Sequence, residues 1–80
     1  MLWTNAVKKL TKNGFTITQT GNFHYAHKDG FRDYLQMIVQ NGEISLIDVK
    51  RQGWDDDPQT DYHAGVFADN LAQALRLVQK

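Results

Sequence analysis

"FTITQTGNFHYAHKDGFRDYLQMIVQNGEISLIDVKRQ", residues 15–52, is rich in β-branched and aromatic side chains and is cut by glycine-containing pairs. Such residues suit a pleated surface, and the cuts divide the stretch into short runs. Thr20-Gly21-Asn22 separates 15–19 from 23–27. Asp29-Gly30 and Asn41-Gly42 are the strongest short hairpin signals, because type I′ turns need positive φ at both central residues. The expected strands are 15–20, 22–28, 31–40 and 43–51, joined in one antiparallel meander. Residues 34–39 carry apolar side chains on both parities, as a central strand requires. In the fourth run Ile44 and Leu46 share one parity while Ile47 and Val49 share the other. A β-bulge or a strand covered on both faces explains that pattern equally well.

Helical periodicity flanks the strands. In "LWTNAVKKLTK", residues 2–12, Trp3, Ala6, Val7 and Leu10 recur at three- and four-residue steps, the spacing of an amphipathic helix. Lys8, Lys9 and Lys12 fall late in it, where cations favour the negative end of the helix dipole. Asn13-Gly14 supplies the left-handed residue that stops the helix. Near the other end of the sequence Leu71, Ala74, Leu75 and Val78 form a second apolar stripe. Asp69 or Asn70 is placed to cap this helix, with Gln73 three positions after Asn70. A loop from about residue 53 to 65 holds Pro58, and within it Gly65 is read as a turn and Asp69 as the helix start beyond. The element order is then α-β-β-β-β-α. This is an α+β fold, a two-layer sandwich in which an antiparallel four-stranded β-meander is flanked by an N-terminal and a C-terminal helix. Residues 1–80 read as a single small domain, without repeats or low-complexity segments.

Composition narrows the function classes. At 41% hydrophobic and 22% charged, the chain is globular rather than disordered. It has no cysteine, so neither a disulfide framework nor a thiolate zinc site is available. No apolar run approaches the roughly 18 residues of a membrane span, and no signal-peptide pattern is present, so a soluble intracellular protein is expected. Net charge is zero but unevenly spread. Residues 1–53 hold seven Lys/Arg and four Asp/Glu, whereas 54–80 hold two and five. A zero total argues against a dedicated duplex binder, whose affinity would rest on many phosphate contacts. The polarity suits a protein partner better.

Four acids, Asp55, Asp56, Asp57 and Asp61, crowd the segment that follows the strands. Counted from Asp55, an EF-hand loop needs glycine at the sixth position and glutamate at the twelfth, where Thr60 and Phe67 stand. No metal site or cofactor is therefore expected. A solvated loop and a docking surface for a basic partner are the remaining readings, since dense carboxylates steer encounters. Trp54 and Tyr62 flank the acids and suit an interface, where such rings are enriched. His24 and His27 have opposite parity on one strand and cannot chelate together. Asp61 and His63 share parity, but no Ser or Cys nucleophile accompanies them. His24 and His63 stay as acid–base candidates near neutrality. Most of the nine aromatic residues fit a small sheet core. Lys8, Lys9, Lys12, Lys28, Lys50 and Arg51 are the candidates for a nucleic-acid patch, though only the first three cluster in sequence.

Two resemblances add to this. "TDYHAGVFADNLAQALRLVQ", with the preceding acidic run, resembles the large polyvalent protein-associated domains of phages, plasmids and other bacterial mobile elements. The features that carry the likeness are Asp55–Asp57, Asp61-Tyr62, Gly65, Phe67, Asp69-Asn70-Leu71 and Ala74-Leu75. It implies a mobile-element origin, bacterial cytoplasm as location, and a role against host defence such as restriction or CRISPR interference. A copy acting by itself would fit a stoichiometric inhibitor of one protein target. "VKKLTKNGFTITQTGNFHYAHKDG" is similar to HicA-type toxins, small ribonucleases on a double-stranded-RNA-binding-like fold. In that family a Gly-Ser-His step carries the catalytic histidine. Here Gly21 is followed by Asn22, Phe23 and His24, so the histidine arrives one residue late and on the other strand face.

The reading that joins these features is a non-catalytic protein-binding module. Trp54, Asp55, Asp56, Asp57, Asp61, Tyr62 and His63 would face the basic surface of a bacterial host protein. A HicA-like RNA-binding or ribonuclease domain using His24 is the alternative. A dimer formed through exposed strand edges is a third possibility.

Overall fold

The computed structural model describes residues 1–52 and 70–78, and the backbone of 62–68. Seven elements follow one another: α1 (Trp3–Lys12), β1 (Thr16–Thr20), β2 (Phe23–His27), β3 (Asp33–Gln40), β4 (Glu43–Arg51), β5 (Tyr62–Ala68) and α2 (Leu71–Leu77). The fold is α+β, with an antiparallel meander between two helices. The strands lie in the order β1-β2-β3-β4-β5, so β3 is central. Both helices pack on the sheet, α1 against β1 and α2 against β4 and β5.

The meander expected within 15–52 is present, and the sheet continues with β5, where the sequence reads as loop as far as residue 65. Tyr62, Val66 and Phe67 are good strand formers, and the second edge of β4 needs a partner. Gly65 lies inside this strand and not in a turn. It sits where the ladder with β4 slips, between Asp48↔Phe67 in one register and Lys50↔His63 in another. A glycine within a strand marks such an irregularity as readily as it marks an end.

Helix α1 starts without a side-chain cap and ends on backbone bonds joined by the Asn13 side chain, whose Nδ2 donates to the Lys9 carbonyl at 2.8 Å. Leu2 precedes it and offers no capping side chain. The first helical donor, the Trp3 N–H, instead bonds the Gly42 carbonyl at 2.8 Å. Leu2 bridges Glu43, and the Ile44 N–H donates to the Met1 carbonyl. Residues 1–2 thereby cover the first part of the β4 edge, beyond the reach of β5. At the other end the Gly14 N–H bonds the Thr11 carbonyl and the Phe15 N–H reaches back to Leu10. This is a Schellman closure, with Gly14 at φ +88° in the left-handed position. Phe15 and Leu10, which the motif brings together, are both buried in the core.

The β3–β4 hairpin turns at Asn41-Gly42 with positive φ at both residues, as type I′ demands. Between β2 and β3 positive φ occurs at Gly30 alone, and the Phe31 N–H bonds the Lys28 carbonyl. That is the type II pattern, not the I′ hairpin expected at Asp29-Gly30. The connection is wider because β2 ends at His27 and β3 begins only at Asp33. Along β3–β4 the register shifts between Ile38↔Leu46 and Val39↔Ile44, leaving Ser45 as the extra residue of a bulge. The bulge explains the mixed parity of β4. Ile44, Ile47 and Val49 all contact the helix-side core, while Leu46 turns to the opposite face.

The core joins Ala6 and Leu10 of α1, Ala26, Leu35, Met37, Ile47 and Val49 of the sheet, and Leu71, Ala74 and Val78 at the α2 end. Asn70 is the residue that caps α2, its Oδ1 accepting the Gln73 N–H at 2.8 Å. Asp69, the other candidate, lies outside the described residues. Because α2 spans only seven residues, loss of the cap should be felt. Asn70→Ala should lower stability by about 1 kcal/mol in urea denaturation, and Asn70→Asp should retain most of it.

Candidate functional site

Cross-strand partners share a sheet face, so the registers sort every side chain of β1–β4. Ile17, Ala26, Leu35 and Val49 form one row on the helix side, and Gln19, His24, Met37 and Ile47 form the next. Among the described residues no helix lies on the opposite face. Across it run Thr18, Tyr25, Gln36 and Asp48 in one row, and Phe23, Ile38 and Leu46 in another. Phe23 is 40% exposed and Leu46 is 38% exposed. These are large apolar side chains left in water on neighbouring strands, with half-buried Ile38 between them.

Alongside this apolar row lies a set of rings. His27 stacks on Tyr34 at 4.8 Å between centroids, and Tyr25 lies 6.2 Å from Tyr34 and 6.4 Å from Phe23. The Tyr25 hydroxyl accepts from Gln36 Nε2 at 3.1 Å, which fixes the ring's outer end. Tyr34 and Asp48 are buried although they belong to this face. The assignment of most aromatics to the core therefore needs correction. Phe15 is in the core, with Trp3 and Phe31 packed against it, but Phe23, Tyr25 and Tyr34 are on the other side of the sheet. The signal was present in "FHYAH", whose period of two puts Phe23, Tyr25 and His27 on one face and His24 with Ala26 on the other.

The residues expected to form a partner site divide in two. Trp54, Asp55, Asp56, Asp57 and Asp61 lie outside the described residues. Tyr62 and His63 open β5, paired in register with Arg51 and Lys50, and so belong to the sheet instead of a loop. Their place in the ladder sets Tyr62 and His63 at the same end of the sheet as the Asp33–Arg51 pair. There Arg51 donates from Nε to Asp33 Oδ1 at 2.7 Å and from a terminal nitrogen to Oδ2 at 3.3 Å. Asp33 is almost wholly buried while Arg51 is half-buried, so this fork ties β3 to β4 where their ladder ends.

Two of the six basic residues are thus committed to structure. Arg51 holds Asp33. Lys28 lies over Phe31 at 5.0 Å and over Phe15 at 5.8 Å, a cation–π arrangement beside Gly14. Lys8 and Lys12 are exposed on α1 and Lys9 is half-buried. They make a solvated helix flank and not a patch continuous with the open face.

His24 sits on the helix side, as its parity requires, with its ring 4.6 Å from that of Trp3 and tilted by 58°. Its Nδ1 is buried and has no hydrogen-bond partner among the described residues. A general acid or base needs a proton path to its substrate, and a ring held beneath Trp3 is badly placed for one. The arrangement is that of a packing residue. A buried polar atom without a partner costs on the order of 1 kcal/mol or more, so His24→Leu should keep the domain folded and raise its melting temperature in calorimetry. It should also leave partner binding unchanged. A fall in binding with an intact fold would place His24 in the working site after all. Protein families, characterised proteins and solved structures all lack a match to this chain.

Proposed function

We propose that this chain is a non-catalytic protein-binding module whose docking surface is the helix-free face of its sheet. The observation that carries the reading is the exposed Phe23–Ile38–Leu46 row beside the Tyr25–His27–Tyr34 rings. Interface cores are enriched in aromatic residues and depleted in charge, with polar groups at the rim. Phe23 and Leu46 have the size and exposure of anchors, and Thr18, Gln36 and Lys50 supply polar surroundings. The sequence between β4 and β5 is rich in acids, and carboxylates favour basic partners, so the proposed partner is a protein that offers an apolar patch and basic groups. On the resemblance to mobile-element domains, the proposed partner is a protein of a bacterial host. Inhibition of restriction or CRISPR interference is the role that follows.

Several features favour protein over RNA. Net charge is zero, and two of the six candidate bases are engaged in the fold. The histidine required by a HicA-like mechanism is on the helix side.

The test is a pull-down from nuclease-treated bacterial lysate, comparing the wild type with a Phe23→Asp/Leu46→Asp variant and with charge reversal at Asp55, Asp56 and Asp57. The Phe23/Leu46 variant alters residues outside the helix-side core, and circular dichroism checks that both variants fold. One stoichiometric protein is expected with the wild type. The Phe23/Leu46 variant should bind it more weakly by about 2 kcal/mol or more, roughly thirtyfold. Charge reversal should slow association and reduce its salt dependence. Undiminished binding by the folded Phe23/Leu46 variant would overturn the docking face. Recovery of RNA alone, and only without nuclease, would overturn the protein-binding reading.

A further inference from the structure

The free edge of the sheet at β1 has a property separate from the docking face. Its sequence, Thr16-Ile17-Thr18-Gln19-Thr20, has no charge, no proline and no glycine, and its ladder with β2 runs without a bulge. Four of its five residues are exposed. Soluble proteins ordinarily guard such an edge with lysine, proline, a bulge or a covering element, and this one has none of the first three.

The direction of its hydrogen-bonding groups follows from the turn. Thr20 and Phe23 flank the two-residue loop Gly21-Asn22, with positive φ at Gly21, the type II′ pattern. A two-residue hairpin closes on a hydrogen-bonded pair, and bonded and non-bonded pairs then alternate along the ladder. Thr20, Thr18 and Thr16 therefore bond β2, and the N–H and C=O groups of Ile17 and Gln19 point outward. No other backbone bond among the described residues takes up either one.

We infer that β1 pairs antiparallel with β1 of a second copy, about a twofold axis at Thr18. The strand is close to palindromic, and this register is the one that satisfies its outward groups. Ile17 of one copy faces Gln19 of the other, giving about four main-chain hydrogen bonds. Thr18 faces Thr18 in the non-bonded position, where side chains approach closest, and Thr16 faces Thr20. Threonine pairs are favourable across strands, and a neutral strand meets its own copy without like-charge repulsion. The contact is isologous and closes as a dimer, with no route to filaments through this edge.

Sedimentation equilibrium across a concentration series tests this, with circular dichroism as the control for folding. The wild type should show a monomer–dimer equilibrium. Gln19→Pro removes an outward N–H that β2 does not use, and proline is tolerated there on an edge strand. It should weaken dimerisation at least about tenfold, since each dimer loses two hydrogen bonds. Thr18→Lys and Thr18→Glu each set like charges opposite one another and should be monomeric, whereas an equimolar mixture of the two should dimerise. A wild type that stays monomeric at millimolar concentration overturns the inference. So does a dimer that persists in folded Gln19→Pro and Thr18→Lys proteins. If the variants dissociate but the mixture fails to reassociate, the twofold register at Thr18 is wrong.

Discussion

The ladder between β3 and β4 is the interaction on which the remaining structure depends, and one extra residue in it decides the rest. Ser45 has no partner on β3, so the strand changes parity at that point. Without the bulge, Ile44 and Leu46 would share a face, and either the core would lose Ile44 or Leu46 would be driven under the helices. With it, Ile44 joins Ile47 and Val49 on the helix side and Leu46 stands on the open face. The same hairpin supplies the Gly42 carbonyl that receives the first N–H of α1, and the Ile44 N–H that binds Met1. A local irregularity in a central strand thus positions a helix start, a core residue and an exposed apolar side chain.

The two sheet faces differ because both described helices pack on the same one. Helices of ten and seven residues cover one face of a five-stranded sheet. Among the described residues the opposite face carries the His27–Tyr34 stack and the Gln36–Tyr25 hydrogen bond. Tyr34 is buried there, whereas Phe23 and Leu46 keep 40% and 38% of their surface exposed. Full burial of such a side chain contributes about 1.5–3 kcal/mol, so two of them represent a sizeable share of the stability open to a small domain. A partner that covers the row would recover that free energy at association.

Much of the fold was legible because its signals are local. Asn13-Gly14 and Asn41-Gly42 announce positive φ, and the four meander strands follow from period-two runs between such turns. What was hidden depends on tertiary pairing. Within 62–68, Tyr62, Val66 and Phe67 suit a strand while Gly65 reads as a turn in isolation, and only the β4 edge decides between them. At 44–47 the sequence permits two explanations, and only the partner strand chooses the bulge. Tyr25 and Phe23 show the same limit for the candidate site. Their common parity can be read directly, but which face the helices cover cannot, so exposed rings and core rings look alike. The acids at 55–57 and 61 are the opposite case, conspicuous in sequence but outside the described residues.

Edge and face bear on each other through the geometry of the sheet. Thr16, Thr18 and Thr20 belong to the helix-free face, one strand away from Phe23 and Tyr25. A twofold axis at Thr18 would therefore join the open faces of two copies into one surface, with a threonine seam between two aromatic patches. A monomer offers a partner one apolar row across three strands, whereas a dimer offers two rows related by symmetry. A twofold-symmetric or repeated target could engage both at once, and the second contact would then form at the high effective concentration set by a rigid sheet instead of a flexible linker. Modest affinity at each face would suffice. A small neutral domain of this kind would reach tight binding by repeating one partly exposed surface.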